Sequence, residues 1–453
     1  MQGRSGPLPY SPPTVENADS ISAGRHADVS VADPAPPMAE NADSISAQDR
    51  PLLLTRDFGL VWSGQFISQI GDGISRLALL WFVYAVTGSP IKTSVIGLLQ
   101  TIPPIVLGPI IGVYVDRLPK KVLLITSDIL RALLIGLIPC LIPVESFTVS
   151  VLYILVLLHA IATAVFGPAL TAAVPSFVPK TQFTAGNALL QSTTSLGIIF
   201  GPALSGLGIA AYGSQEVLCL NAATYMISAA CLTLVRFKNS GPQVPSRAAR
   251  PTMLQDLVEG FRYSVVIQPT ILLLTGTAAL YTFGTSALTA LFPVFARKML
   301  GLGPVEIGYL WSAVGVGLFI TSIGLLWATD WMIKDRMRLI MGTSVLSAAA
   351  LFALTGTTDL YMAGLLMGLI GCGMGAFTPI AWGIIQELAP RQMIGRVLGF
   401  YGTGAMTAAI GGISAFGWIM EQQGTETGVY GISLVMLVTS LVAARMSRAK
   451  TMH

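Results

Sequence analysis

Residues 112–121 read Gly112-Val-Tyr-Val-Asp116-Arg117-Leu-Pro119-Lys120-Lys121, a charged turn between two apolar runs at about 93–115 and 121–143. Each run can cross a bilayer, which takes about twenty residues. The clustered charges hold the turn in water, so the two runs form an antiparallel membrane hairpin. Working outward, further apolar runs recur near 58–87, 147–174, 187–212, 216–236, 270–296, 305–328, 338–357, 360–388, 396–420 and 427–446. Composition agrees: 53% of the 453 residues are hydrophobic and 11% charged, with a mean hydropathy of +0.71. Soluble domains carry about 25% charged residues. A soluble helical bundle would need a polar face on most helices, and these runs are apolar nearly all round.

Charge placement sets the orientation. Of the 26 Lys and Arg residues, Lys92, Arg297 and Lys298 fall on one side, Arg76 and Arg131 lie within spans, and all the rest fall on the side of the termini. Positive residues stay in the cytoplasm, so the expectation is a multi-pass protein of the cytoplasmic (inner) membrane with both termini inside. The basic residues are scattered rather than massed, which argues against nucleic acid.

Cys140, Cys219, Cys231 and Cys372 each sit in an apolar stretch without a CxxC pair and read as small buried hydrophobes. The histidines are His26, His159 and His453, and neither HExxH nor GxxxxGK[ST] occurs. Zinc hydrolysis and P-loop ATP hydrolysis therefore have no support. The expectation is no enzyme, no cofactor and no metal.

Residues 1–55 form a polar tail expected to be disordered and cytoplasmic, with the octapeptide ENADSISA at both Glu16–Ala23 and Glu40–Ala47. Translation from Met38 is one expectation, and an intact mass beginning at Met1 rejects it. Residues 237–269 form a cytoplasmic linker after the sixth span. Within it Leu254, Leu257, Val258, Phe261 and Val265 at helical spacing predict an amphipathic helix on the inner membrane face. The linker separates a six-helix half at 56–236 from another at 270–446, leaving a cytoplasmic tail at 447–453. The halves echo each other: Val178-Pro-Lys resembles Ala389-Pro-Arg, and Gly201-Pro202 aligns with Gly411-Gly412.

The 112–121 turn resembles the major facilitator loop signature G-x-x-x-D-R-x-G-R-[RK], with Pro119 at a usual glycine. The resemblance covers roughly residues 56–446. It implies an all-α membrane protein of twelve transmembrane helices in two pseudo-symmetric six-helix bundles. It also implies a conformational latch at Gly112, Asp116 and Arg117. Asp128 and Arg131, nearer the inner face in span three, read as a structural pair supporting that loop, with direct coupling as the alternative. Ordinary flanking charge would explain Lys120 and Lys121 but not the Gly-x-x-x-Asp spacing. The corresponding second-half stretch, Gly324 to Arg338, holds Asp330 at altered spacing.

Span five carries Gly197-x-x-x-Gly201-Pro202-x-x-Ser205-Gly206. It resembles the G-x-x-x-G-P-x-x-G-G signature of the family's drug:proton antiporters, beside the plainer reading of small-residue helix packing. With Gln69-Ile-Gly-Asp72, Ser127-Asp128-Ile-Leu-Arg131, Phe166-Gly-Pro-Ala169, Pro175-Ser-Phe-Val-Pro179 and Asn221-Ala222, the first half is similar to the macrolide-efflux and siderophore (enterobactin) exporter branch. Drug antiporters of this superfamily commonly carry an arginine in span four, where this chain has His159.

Span one places Gln65, Gln69, Asp72 and Arg76 on one helix face. Ionisable residues at such depth face a cavity or a partner. The expectation is that Asp72 and His159 bind a driving proton tuned by Arg76; the rival is a self-satisfied Asp72–Arg76 ion pair. Tyr281, Phe283, Thr378 and Trp382 are candidate walls of the substrate cavity. Together these imply a proton-coupled exporter of a mid-sized organic molecule, monomeric, with protons, a small organic substrate and the lipid bilayer as partners. An uptake permease, a lipid flippase and a non-transporting receptor remain open.

Overall fold

The computed structural model describes residues 52–141, 149–179, 182–237, 259, 261–325, 332–390 and 393–448. The amphipathic stretch at 254–258, the tail before Leu52, Lys180, Asp330 and Arg391 lie outside them. Among the described residues twelve helices are long and apolar enough to span a membrane. They are α1 Arg56–Thr87, α2 Pro90–Arg117, α3 Lys120–Leu141, α4 Val149–Ala173, α5 Phe183–Tyr212, α6 Glu216–Leu234, α7 Pro269–Leu300, α8 Pro304–Gly324, α9 Ile333–Leu354, α10 Leu360–Leu388, α11 Ile394–Gln422 and α12 Thr425–Arg448. The apolar runs in the sequence fall on these helices one for one.

Several boundaries follow from local chemistry. Leucines and valines carry α1 past Asp72 until Gly88, which takes φ +62° at the C-terminal turn and donates its N–H to Tyr84 O. A side chain would be strained at that φ. Ser89 then caps α2, its side chain accepting from Lys92 N, and Pro90 occupies the first turn. The second half repeats the device: Gly301 ends α7 at φ +66°, and Pro304 opens α8.

The repeat also governs packing. α1 packs on α5 and α6, α3 on α4 and α6, and α2 on α4. Six helices later the same set appears: α7 on α11 and α12, α9 on α10 and α12, and α8 on α10. The main contacts joining the sets are α5 on α8 and α2 on α11, which exchange under the same shift. This is the contact map of two pseudo-symmetric six-helix bundles.

An even number of spans puts both chain ends on one face, here the termini face; the other is the far face. The bundles meet toward the far face. A Cβ on Gly308 would lie 2.4 Å from Pro202 O, and one on Gly206 would lie 2.4 Å from Pro304 O. On the α2–α11 side Glu421 accepts from Ser89 Oγ at 2.8 Å and from Ile91 N at 3.3 Å, setting a carboxylate on the N-terminus of α2. Cys140 and Cys219 are exposed, which corrects their reading as buried: in a membrane protein lipid supplies the apolar surroundings as well as the core.

Candidate functional site

α1 is the centre of the first bundle because its faces differ. One is built of small residues against α6: Gly64 lies over Ser228 and Cys231, Gly71 over Asn221 and Thr224, and Asn221 Nδ2 donates to Ser75 Oγ at 2.7 Å. A second meets α5, where Gly73 faces Gly197 and Gly201, and Ser205 Oγ donates to Ile74 O at 2.8 Å. The polar stripe has the remaining arc. Asp72 is sixteen residues into this 32-residue helix, its middle.

Gln65, Gln69 and Asp72 line a cavity of about 340 Å³ bounded by α1, α3, α4 and α5. Asn187, Gln191 and threonines of α4 and α5 complete its polar wall, and Asp72 is the one carboxylate among the lining residues. The lining runs from Asp72 at mid-helix to Thr171 and Asn187, near the termini-face ends of α4 and α5. The arrangement is closed toward the far face and open toward the termini face.

Behind Asp72 lies a buried cluster that joins four helices. Arg131 of α3 is 2% exposed and pairs with the fully buried Asp128 one turn away. Its Nη1 also lies 3.9 Å from Asp72 Oδ2. The guanidinium is held between the rings of Phe166 and Tyr225, at 4.2 and 4.3 Å from their centroids. Tyr225 donates its hydroxyl to Asp72 Oδ1, and His159 Nε2 stands 3.1 Å from the same hydroxyl.

Two carboxylates share one guanidinium, so Asp72, Asp128 and Arg131 together carry one negative charge until a proton joins them. Charge in a low-dielectric interior is costly, and one proton removes it. Asp72, Tyr225 and His159 also form a reversible chain. While Asp72 is ionised, Tyr225 donates to it and accepts from His159 Nε2–H. Once Asp72 is protonated it can donate to Tyr225, which then donates to His159 Nε2 when the ring carries its proton on Nδ1.

The sequence candidates separate on this geometry. Gln65, Gln69 and Asp72 share the cavity, and His159 reaches Asp72 through Tyr225 rather than by lining the cavity. Arg76 is exposed and makes no ion pair or hydrogen bond with another described residue; the cation beside Asp72 is Arg131. Asp128 and Arg131 do pair, but they also connect to Asp72. Gly112 and Asp116 lie in the last turns of α2, the Asp116 side chain outside the described set, and Arg117 is exposed. Nearby, Lys121 Nζ caps α6 by donating to Thr233 O at 2.7 Å and Val235 O at 2.8 Å.

Gly197 and Gly201 face α1, whereas Pro202 and Gly206 face α8, so the span-five glycines serve two interfaces at once. Tyr281 is buried, stacked on Phe377 with centroids 4.3 Å apart; Phe283 packs on Gly412 and Phe416. Thr378 and Trp382 are exposed one turn apart on α10. None of these four lines the 340 Å³ cavity.

Sequence reading missed the partnership of Arg131 and Tyr225, and the cavity side chains Thr163, Asn187, Gln191 and Thr194. A usable sign existed for one of them: Asn221, Tyr225 and Ser228, at helical spacing, set polar groups on one face of the largely apolar α6. The repeat adds a contrast. Phe166-Gly-Pro168 of α4 corresponds to Phe377-Thr-Pro379 of α10. The first phenylalanine stacks on a guanidinium and the second on a tyrosine ring. The buried charge belongs to the first bundle.

A pseudo-symmetric twelve-helix bundle, with a polar cavity at mid-membrane open toward one face, is the construction of a solute transporter, not of an enzyme. The chain belongs to the Major Facilitator Superfamily, whose sequence profile matches residues 61–414. It is 27% identical over 394 residues to the multidrug efflux pump Tap of Mycolicibacterium fortuitum, covering 84% of this chain and 93% of that one. It is 28% identical over 354 residues to macrolide efflux protein A of Streptococcus pyogenes, covering 76% and 85%. Among solved structures it resembles a bacterial homologue of the iron transporter ferroportin in its inward-facing state. There the TM-score is 0.68 at 15% identity, covering 88% of this chain and all of that one. That likeness speaks to the fold alone.

Proposed function

We propose that this chain exports a mid-sized, partly hydrophobic organic molecule across the cytoplasmic membrane in exchange for protons, by alternating access of the two bundles. The observation that carries the reading is Asp72: the cavity's one carboxylate, shared with a buried Arg131–Asp128 pair that needs a proton for neutrality. Facing Asp72 are Arg131 and Asp128 of α3, His159 of α4 and Tyr225 of α6, with Arg76 a turn away on α1. From α5 come the Gly197–Gly201 surface and the uncharged cavity side chains Asn187, Gln191, Thr193 and Thr194.

In the cycle, Asp72 loads a proton from outside while the cavity faces that side. It releases the proton to the cytoplasm, and the vacated cavity takes up substrate. The termini face is the cytoplasmic one on the distribution of Lys and Arg, so the closed far face is external. The cavity's lining residues all come from the first bundle, and a monomer is the proposed working unit. The names of the two efflux relatives support export, and a macrolide-like antibiotic, another secondary metabolite or a siderophore is the substrate class. Drug resistance of the host would follow.

The test uses everted membrane vesicles from a host lacking its own drug pumps, with labelled erythromycin, tetracycline and ethidium. An imposed pH gradient, acid inside, is expected to drive accumulation of at least one of them, and a protonophore to abolish it. Loss of preloaded compound under the same gradient would instead indicate uptake into the cell. Movement indifferent to the protonophore would remove proton coupling.

A further inference from the structure

The 340 Å³ cavity carries more neutral hydrogen-bonding groups than proton exchange at Asp72 uses. Gln65 and Gln69 stand four apart on α1, and Asn187 and Gln191 four apart on α5, so each helix turns two carboxamides toward the cavity. Two contacts fix the helices around them. On one side Trp62 Nε1 donates to Leu189 O at 3.0 Å; on the other Gly73 meets Gly197 and Gly201 backbone to backbone. Gln65, Gln69, Gln191 and Thr194 fall between these two points, on a wall whose backbone is held in place before any ligand arrives.

The protein itself leaves most of these groups unused. Gln69, Gln191 and Thr194 make no side-chain hydrogen bond with another described residue. Gln65 Nε2 reaches Ser228 Oγ only at 3.5 Å, longer than an ordinary N–H···O bond. Asn187 commits one N–H to Phe183 O and leaves its carbonyl oxygen open. The charged groups, by contrast, are occupied with one another: Asp72 takes the Tyr225 hydroxyl and lies beside Arg131, which pairs with Asp128. A bound cation would compete with Arg131 for Asp72, and a bound anion would meet a cluster already one charge negative. A ligand that displaces water from this wall must supply both donors and acceptors, since an amide left unpaired away from water is costly. Hydroxyl groups do both.

We propose that Gln65, Gln69, Asn187 and Gln191 form a subsite for a neutral, hydroxyl-rich part of the substrate, such as a sugar ring, so that the transported molecule is a glycoside. The inference rests on the reading of this cavity as an exporter's substrate site and narrows the substrate class. Pockets for drug-sized molecules run from about 300 to 1,000 Å³. At 340 Å³ the cavity takes the polar part of a mid-sized molecule and leaves its apolar body outside this wall. An analogue without those hydroxyls would strand the amides that face them, which discriminates more sharply than lost apolar contact does.

Binding is measured on the full chain in nanodiscs at one pH, with no gradient and no turnover. The probes are two glycosides of unlike body, erythromycin and digitoxin, each beside its sugar-free aglycone. At least one glycoside is expected to bind about tenfold or more tighter than its aglycone. Gln69→Met and Gln191→Met keep the side-chain length without the hydrogen bonds, and neither glutamine is bonded to the protein, so both variants should keep native thermal stability. Each should weaken that glycoside about tenfold and leave the aglycone's affinity native. The proposal is overturned if neither glycoside outbinds its aglycone, or if the preference survives both substitutions. It is also overturned if glycoside and aglycone weaken alike in a variant of native stability. Failure of the exporter reading shows up elsewhere, as a glycoside that binds in nanodiscs but is not accumulated by everted vesicles.

Discussion

Arg131→Met is expected to destabilise the first bundle by roughly 3–5 kcal/mol, the usual cost of removing one partner from a buried ion pair. Asp128 is fully buried, and its Oδ2 has no hydrogen-bond partner even with Arg131 in place. Without the guanidinium its charge stands alone, and the Phe166 and Tyr225 rings lose the cation between them. Arg131→Met/Asp128→Leu removes both charges and should regain much of the loss, since an apolar pair of similar volume is often neutral or better. Steric-trap unfolding in bicelles reads both. Transport should be lost in the single and the double variant, because Asp72 loses its cation in each. A single variant as stable as the native protein would show that the pair contributes nothing to the fold.

The span-five glycines should give the other large effect, and in two different forms. A Cβ at Gly201 would meet the Gly73 backbone at 2.6 Å, within the first bundle, whereas one at Gly308 would meet Pro202 O at 2.4 Å, between bundles. Backbone cannot yield as a flexible side chain does, so either site is overpacked, at roughly 1–3 kcal/mol or more. Gly201→Val should therefore lower thermal stability whichever face is open. Gly308→Val should leave each bundle intact and force the far face apart. Spin-label distances across the far face are expected to lengthen for Gly308→Val and to stay native for whatever Gly201→Val protein remains folded. Unchanged distances in Gly308→Val would mean that the α5–α8 seam does not hold that face shut.

Much of this architecture is legible in the sequence because a bilayer is a strict solvent. A helix must present apolar residues for about twenty positions, so each span announces itself. The repeat is legible for a related reason: close helix approach demands glycine, and Gly201 against the α1 backbone and Gly412 against the α7 backbone keep nearly the same place in the two halves. The cluster is not legible because its members come from four helices. Gln65, Gln69 and Asp72 share a face by spacing alone, and they do share the cavity. The same spacing suggests Arg76 as the partner of Asp72, but no periodicity says that α3 brings Arg131 within 3.9 Å. Likewise the aromatics of α7 and α10 read as cavity walls, yet Tyr281 and Phe377 pack on each other in the second bundle's core.

The Asp72 carboxylate is the group on which proton coupling turns. In everted vesicles carrying Asp72→Asn, an imposed pH gradient should no longer drive accumulation of the compound that the native protein concentrates. Exchange of labelled for unlabelled compound at equal pH should persist, because the carboxamide keeps the cavity's shape while carrying no transported proton. Gradient-driven accumulation at the native level in Asp72→Asn would contradict proton coupling through this site.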